Sequence, residues 1–179
     1  MKTTTLRHIL LIAATFDALA TAATAKAQQF SDDPRLYGTW LMESMQFEGE
    51  HINYCRNIGY TQVKYYGKNG EYACVEFYRK KNEKGETYME AYPYEYGKPG
   101  QGFRFKNGDY IEMGRPALRD AIAVLDANTV RGKWLKRTDI WKRIALPKPL
   151  LDHIITAARI HQEAWSSEYQ GMMLKYLME

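Results

Sequence analysis

The side chains able to do chemistry are few and scattered. Past the first 27 residues, histidine stands at 51, 153 and 161, and His153 and His161 lie eight apart with no cysteine or carboxylate placed to complete a metal site. Serine occurs at Ser31, Ser44, Ser166 and Ser167, none of them inside Gly-x-Ser-x-Gly, the sharp turn that presents a nucleophile. No glycine-rich loop follows a strand and opens a helix, so no phosphate cradle is indicated. The carboxylates Glu43, Glu76, Glu90 and Glu112 offer candidates for a glycosidase pair, whose defining property is a separation that only the fold can set. The chain therefore reads as a non-enzyme needing no cofactor and no metal, with a glycan-active enzyme built on paired carboxylates as the alternative.

Residues suited to binding are more abundant. Of the 14 tyrosines, Tyr88, Tyr92, Tyr94 and Tyr96 share one strand parity with Glu90. Such a row can hold an amphipathic or sugar-like ligand by stacking and hydroxyl bonds, or it can be cross-strand packing. Pro93 interrupts it and signals a sheet edge or a bulge. Arg104 and Glu112 alternate out of apolar faces, where each can orient a ligand's polar group or stand in solvent. Arg131, Lys133, Lys136, Arg137, Lys142 and Arg143 interleave with Trp134 and Trp141, a pattern that suits anions, single-stranded nucleic acid or a solvated strand face.

The compartment narrows those choices. Lys2 and Arg7 precede the apolar run His8–Phe16, and Ala25-Lys26-Ala27 has the small-x-small pattern of a signal-peptidase site. Residues 1–27 thus read as a signal peptide cut between Ala27 and Gln28, leaving a soluble periplasmic or secreted protein. No cysteine lies near the cut, which argues against a lipid anchor, and no integral membrane segment remains after signal removal. Cleavage takes away Lys2, Arg7, Lys26 and Asp17, so 25 basic and 21 acidic residues become 22 and 20. A nearly neutral exported chain does not call for a nucleic-acid partner.

The elements that must position these side chains are mostly strands. Asn69-Gly70 is a strong hairpin signal because both residues accept positive φ, and Asn82–Gly85, Gly97–Gly100, Asn107-Gly108 and Asp126–Asn128 break the chain similarly. The runs between them predict strands at 38–47, 61–66, 71–79, 86–94, 102–106, 109–113, 121–125, 129–136 and 139–144. The expected fold is all-β, an antiparallel up-and-down barrel of about eight to ten strands over residues 28–145. After Pro147 and Pro149 the spacing of Leu151, Ile154, Ile155 and Ala158 turns helical, so 146–179 reads as a helical extension packed on the barrel. A second helix is expected to start near Ser166 or Ser167 and to carry Met172, Met173, Tyr176 and Leu177.

Gly38-Thr39-Trp40 at the first strand, the meander, and Trp141-Lys142-Arg143 before the helix together resemble the lipocalin-like branch of the calycin superfamily, in particular its secreted bacterial domains of unknown function. The resemblance covers Leu36 to Ile144 and implies that Arg143 packs across Trp40 as a plug at the closed end. Independently of any family, a guanidinium on an indole face contributes about 0.5–2 kcal/mol.

Alternation pairs Trp40 with Met42, Val63 with Tyr65, Val75 with Phe77, Phe103 with Phe105, Ile111 with Met113 and Val130 with Trp134, which predicts a largely apolar interior. Gly132 leaves room beside Trp134. The expected function is binding of a small hydrophobic or amphipathic molecule, with Met42, Tyr65, Phe77, Tyr88, Tyr92, Arg104, Glu112 and Trp134 as candidate ligand contacts. The alternative is a filled-barrel interaction module that meets a protein or glycan through surface aromatics or the C-terminal helices. Cys55 and Cys74, the only two cysteines of an exported chain, are candidates for a disulfide closing a loop of about 20 residues.

Overall fold

A computed structural model describes residues 34–106, 109–112, 118–119, 122–160, 169, 171–173 and 175. The expected cleavage point at Ala27 and Gln28, the Asn107-Gly108 turn, Met113, the Ser166 or Ser167 cap, Tyr176 and Leu177 lie outside these residues. A 3-10 turn at Pro34–Leu36 leads into β1 (Gly38–Phe47), β2 (Asn53–Tyr54) and a single helical turn, α1 (Cys55–Ile58). There follow β3 (Tyr60–Tyr66), β4 (Tyr72–Lys81), β5 (Thr87–Gly97), β6 (Phe103–Lys106), β7 (Asp109–Glu112), β8 (Leu118–Arg119), β9 (Ile122–Asp126), β10 (Thr129–Trp134), β11 (Arg137–Ile144) and α2 (Lys148–Ile160). Four short elements, the 3-10 turn, β2, α1 and β8, add to the expected set.

Strand pairing is antiparallel throughout. The main sheet runs β5-β4-β3-β1-β11-β10-β9, with β2 on β1, and β6-β7-β8 form a second sheet. The main sheet is open, ending at β5 and β9. First and last strands are neighbours, with Trp40 opposite Arg143 and Met42 opposite Trp141.

Both faces of this sheet are packed, and that explains the apolar residues on both sides of β1. One core gathers Leu36, Trp40, Met42, Met45, Tyr66, Tyr72, Cys74, Phe103, Val130 and Trp141 on the inner face. The other holds Val63, Ala73, Val75, Phe77, Met89 and Ala91 on the outer face, against Leu150, Ile154, Ala157 and Ala158 of α2 and Met173. Those α2 positions follow the i, i+4, i+7, i+8 stripe, and burying each large side chain contributes about 1.5–3 kcal/mol. Pro149 sits in the first turn of α2, where its missing N–H is harmless. Among the described residues no helix is long and apolar enough to cross a membrane.

Two bulges change parity within a strand. The register of β1 shifts between Met42 and Ser44, so Glu43 stands without a partner and Met45, rather than Ser44, joins the Trp40 face. In β5 the register shifts opposite Cys74 and Val75, at Pro93 and Glu95. Tyr92 lies opposite inward Glu76, whereas Tyr96 packs with the outer core and donates its hydroxyl to Glu71 Oε1 at 2.7 Å. Pro93 thus marks both a bulge and an edge strand, and it splits the tyrosine row between two faces.

Candidate functional site

The inner face is sealed at the Gly38 end. Arg143 stacks 4.2 Å from the Trp40 ring centroid, while its Nε donates to Ala127 O at 2.8 Å and its Nη2 to Arg35 O at 2.6 Å. Its Nη1 donates to Tyr37 O, and Trp40 Nε1 donates to Leu36 O at 2.7 Å, tying the 3-10 turn to β1. Gly38 makes this possible. Its φ of +115° suits glycine, and an added Cβ would stand 3.0 Å from Arg143 Nη1. Trp40, Tyr66, Val130, Trp134 and Trp141 leave only about 10 Å³ among them, too little for a ligand.

Toward the Phe47 end the same face opens into a cup of about 610 Å³. Its floor is Tyr72, Trp134 and the buried Lys64, its walls include Gln62, Glu76, Glu95 and Arg137, and Phe47 and Leu135 form an apolar rim. Leu135 is 91% exposed and takes φ +52° at the tip of the β10–β11 hairpin. Gly132 clears space for the floor, since a Cβ there would lie 2.9 Å from Trp134 Nε1 and 3.3 Å from Trp141 Nε1.

The floor holds charge at low exposure. Lys64 is 6% exposed, and its Nζ lies 4.9 Å from the Trp134 centroid, 4.9 Å from Trp141 and 5.7 Å from Tyr72. Three ring faces replace part of the water that a lysine ammonium gives up. Asp139, fully buried, accepts a hydrogen bond from Arg137 Nη2 at 2.9 Å. Burial pushes the Asp139 carboxyl up, and the Arg137 and Lys64 charges pull it back only in part.

The wall formed by β3, β4 and β5 is a tyrosine–carboxylate network. Glu76 Oε1 accepts from Tyr60 OH and Gln62 Nε2, each at 2.8 Å, and Oε2 accepts from Tyr78 OH at 3.1 Å. Burial raises the Tyr60 hydroxyl well above the ordinary phenol range and raises that of Tyr78 as well, and the Glu76 hydrogen bonds and charge add to both. Nearer the open end, Glu90 accepts from Tyr92 OH at 2.6 Å and Tyr88 OH at 3.2 Å and forms an ion pair with Lys80. That Lys80 bond, with Tyr92, holds the Glu90 carboxyl below its usual range.

The structure sorts the expected contacts. Trp134 lines the cup, whereas Tyr92, opposite Glu76, and Tyr88, opposite Lys80, are not among the residues that line it. Met42 faces inward but is buried in the core. Tyr65 and Phe77 belong to the opposite face, with Phe77 fully buried beneath the helical layer, because Val63, Val75 and Phe77 have outward parity. The inner face is accordingly more polar than expected. Arg104 pairs with Ile111, and Glu112 with Phe103, in the second sheet; the Arg104 and Glu112 side chains lie outside the described residues. The expected disulfide is absent. Cys74 points inward and its thiol donates to Gln62 Oε1 at 3.9 Å, while Cys55 is buried in α1 and bonded by the Thr61 side chain. Burial pushes the Cys55 thiol up to about 12.

Sequence reasoning passed over Tyr60, Gln62, Lys64, Tyr78, Glu95 and Asp139. The available signal was Gln62 and Lys64 alternating with Val63 inside an otherwise apolar strand. Among the described residues no three His, Cys, Asp or Glu side chains gather as a metal site. No protein-family model, curated protein or solved structure was found to match the chain.

Proposed function

We propose that the protein is an exported lipocalin-like binding protein whose inner-face cup takes one small amphipathic molecule. The observation that carries the reading is the open 610 Å³ cavity above a packed floor, a volume within the roughly 300–1,000 Å³ of small-molecule pockets. Buried polar groups below an apolar rim favour a ligand with a polar head and a hydrocarbon part. The strand order supports the barrel half of the proposal. It is a meander cut at one place, and β6–β8, absent from the main path, fall in sequence between its edges β5 and β9. A barrel packed shut along its whole length would favour the interaction module instead, and here the packing stops at Lys64 and Trp134.

Native mass spectrometry of the protein from its own periplasm tests this. A co-purifying small molecule at one per chain is the expected result. Purely apo protein, together with unchanged tryptophan fluorescence on titration with amphiphiles, would refute it.

A further inference from the structure

We propose that the end of the main sheet where the cup opens docks on an anionic lipid bilayer, with Leu135 and Phe47 in its interface and Lys133 and Lys136 on lipid phosphates. The proposal goes beyond the cup reading and holds whether or not the cup takes a ligand.

Strand register gathers apolar side chains at this end. Beyond the Met45–Asp139 and Gly132–Asp139 pairs lie the end of β1, β2 with α1, and the β10–β11 turn, on neighbouring strands. Of the eight large apolar side chains exposed among the described residues, five stand here: Phe47, Ile52, Tyr54, Ile58 and Leu135. Single exposed apolar residues are ordinary on a protein surface, but a group of them at one end marks an interaction face.

Leu135 is the most telling of the five. It is 91% exposed at a φ of +52°, where glycine or asparagine would sit with less strain. The free protein gains little packing and no easy geometry from a leucine there. A lipid interface supplies the missing burial.

Charge favours an anionic surface. By strand register this end comprises residues 45–59, 79–89 and 132–139, which carry eight basic and five acidic residues. The rest of residues 28–179 carries 14 and 15. A groove of about 360 Å³ flanks the hairpin tip, and its lining sets Lys133 and Lys136 beside Phe47 and Leu135, with Glu48 as its one carboxylate. Among the described residues neither lysine forms an ion pair, so both ammonium groups are available to phosphates. Apolar side chains flanked by lysines match the bilayer interface, where hydrocarbon enters and the ammonium stays at the phosphate level.

Co-sedimentation of the protein purified from its own periplasm tests this, with vesicles of phosphatidylcholine alone or containing about one-third phosphatidylglycerol. Partition into the mixed vesicles is expected to be at least about tenfold stronger at low salt and to fall as salt rises. Leu135→Asn should weaken that partition about tenfold without lowering the urea midpoint, since asparagine accepts positive φ. Replacing Lys133 and Lys136 together with alanine should bring the two vesicle types within about threefold of each other. No binding to either vesicle, equal binding to both, or undiminished binding by a folded Leu135→Asn overturns the proposal. So does a concentration-dependent dimer that Leu135→Asn dissolves, which would give the face to a second copy of the chain. If Leu135→Asn does not fold, the lipid ranking, its salt dependence and the lysine variant decide. The cup is read separately by the native mass spectrum, so failure here leaves that reading standing.

Discussion

Replacing Arg143 with alanine removes one guanidinium that ties together the start of β1, the β9–β10 turn and the 3-10 turn. Its bonds to Ala127 O and Arg35 O are exposed, so solvent screening leaves each about 0.5 kcal/mol. The half-buried bond to Tyr37 O contributes about 1 kcal/mol, and the contact at 4.2 Å with the Trp40 ring about 1 kcal/mol. The expected loss is thus about 3 kcal/mol, at or below the roughly 3–5 kcal/mol for Trp40→Ala, which empties a fully packed site. Arg143→Lys keeps the charge but lacks the fork that reaches three carbonyls at once, and should lose about 2 kcal/mol. Because the ring contact is lost only once, the double variant should fall short of additivity by about 1 kcal/mol. Urea unfolding followed by far-UV circular dichroism measures the four variants and the wild type. An Arg143→Ala stability within about 0.5 kcal/mol of wild type, or strictly additive single variants, would refute the plug.

Gly38→Ala should destabilise by about 1–3 kcal/mol, from its φ of +115° and the 3.0 Å approach to Arg143; a neutral urea midpoint would contradict that geometry. Phe77→Ala should cost about 3–5 kcal/mol by opening a cavity on the outer face, yet leave amphiphile affinity within about twofold, whereas a large affinity loss would return Phe77 to the ligand site. Thiol titration of denatured, unreduced protein should find two thiols per chain, and the native Cys55 should resist iodoacetamide at pH 8, since the thiolate is the nucleophile. Stability should also fall as pH rises above about 9. Between the ordinary thiol value of 9.0 and the folded value of about 12, the unfolded chain releases a proton that the folded chain keeps, and raised Tyr60 acts in the same direction at higher pH. A urea midpoint that stays flat from pH 8 to pH 10.5 would count against a buried Cys55.

The sequence by itself determined where the chain turns and what lies between the turns. Asn69-Gly70 and Asp126–Asn128 fall between paired strands because their turns rely on local chemistry, such as the Asp126 carboxylate accepting from Asn128 N at 2.7 Å. The helical stripe after Pro149 and the pairing of Trp40 with Arg143 were legible for related reasons, one being periodic and the other using two conspicuous residues at the ends of the meander. Only the tertiary structure decided which face is the cup. Alternation separates Val63, Val75 and Phe77 from Gln62, Lys64 and Glu76, but with α2 covering the outer face both sets are buried, and apolar character no longer marks the interior. The bulges at Glu43 and before Glu95 then shift parity by one residue, moving Met45 inward and placing Tyr96 outward. Lys64 and Asp139 read as surface charges in a linear chain. Lys64 is buried because Trp134 and Trp141 arrive from strands distant in sequence, and Asp139 because the sheet buries its strand with Arg137 beside it; those contacts offset the cost of removing the charges from water.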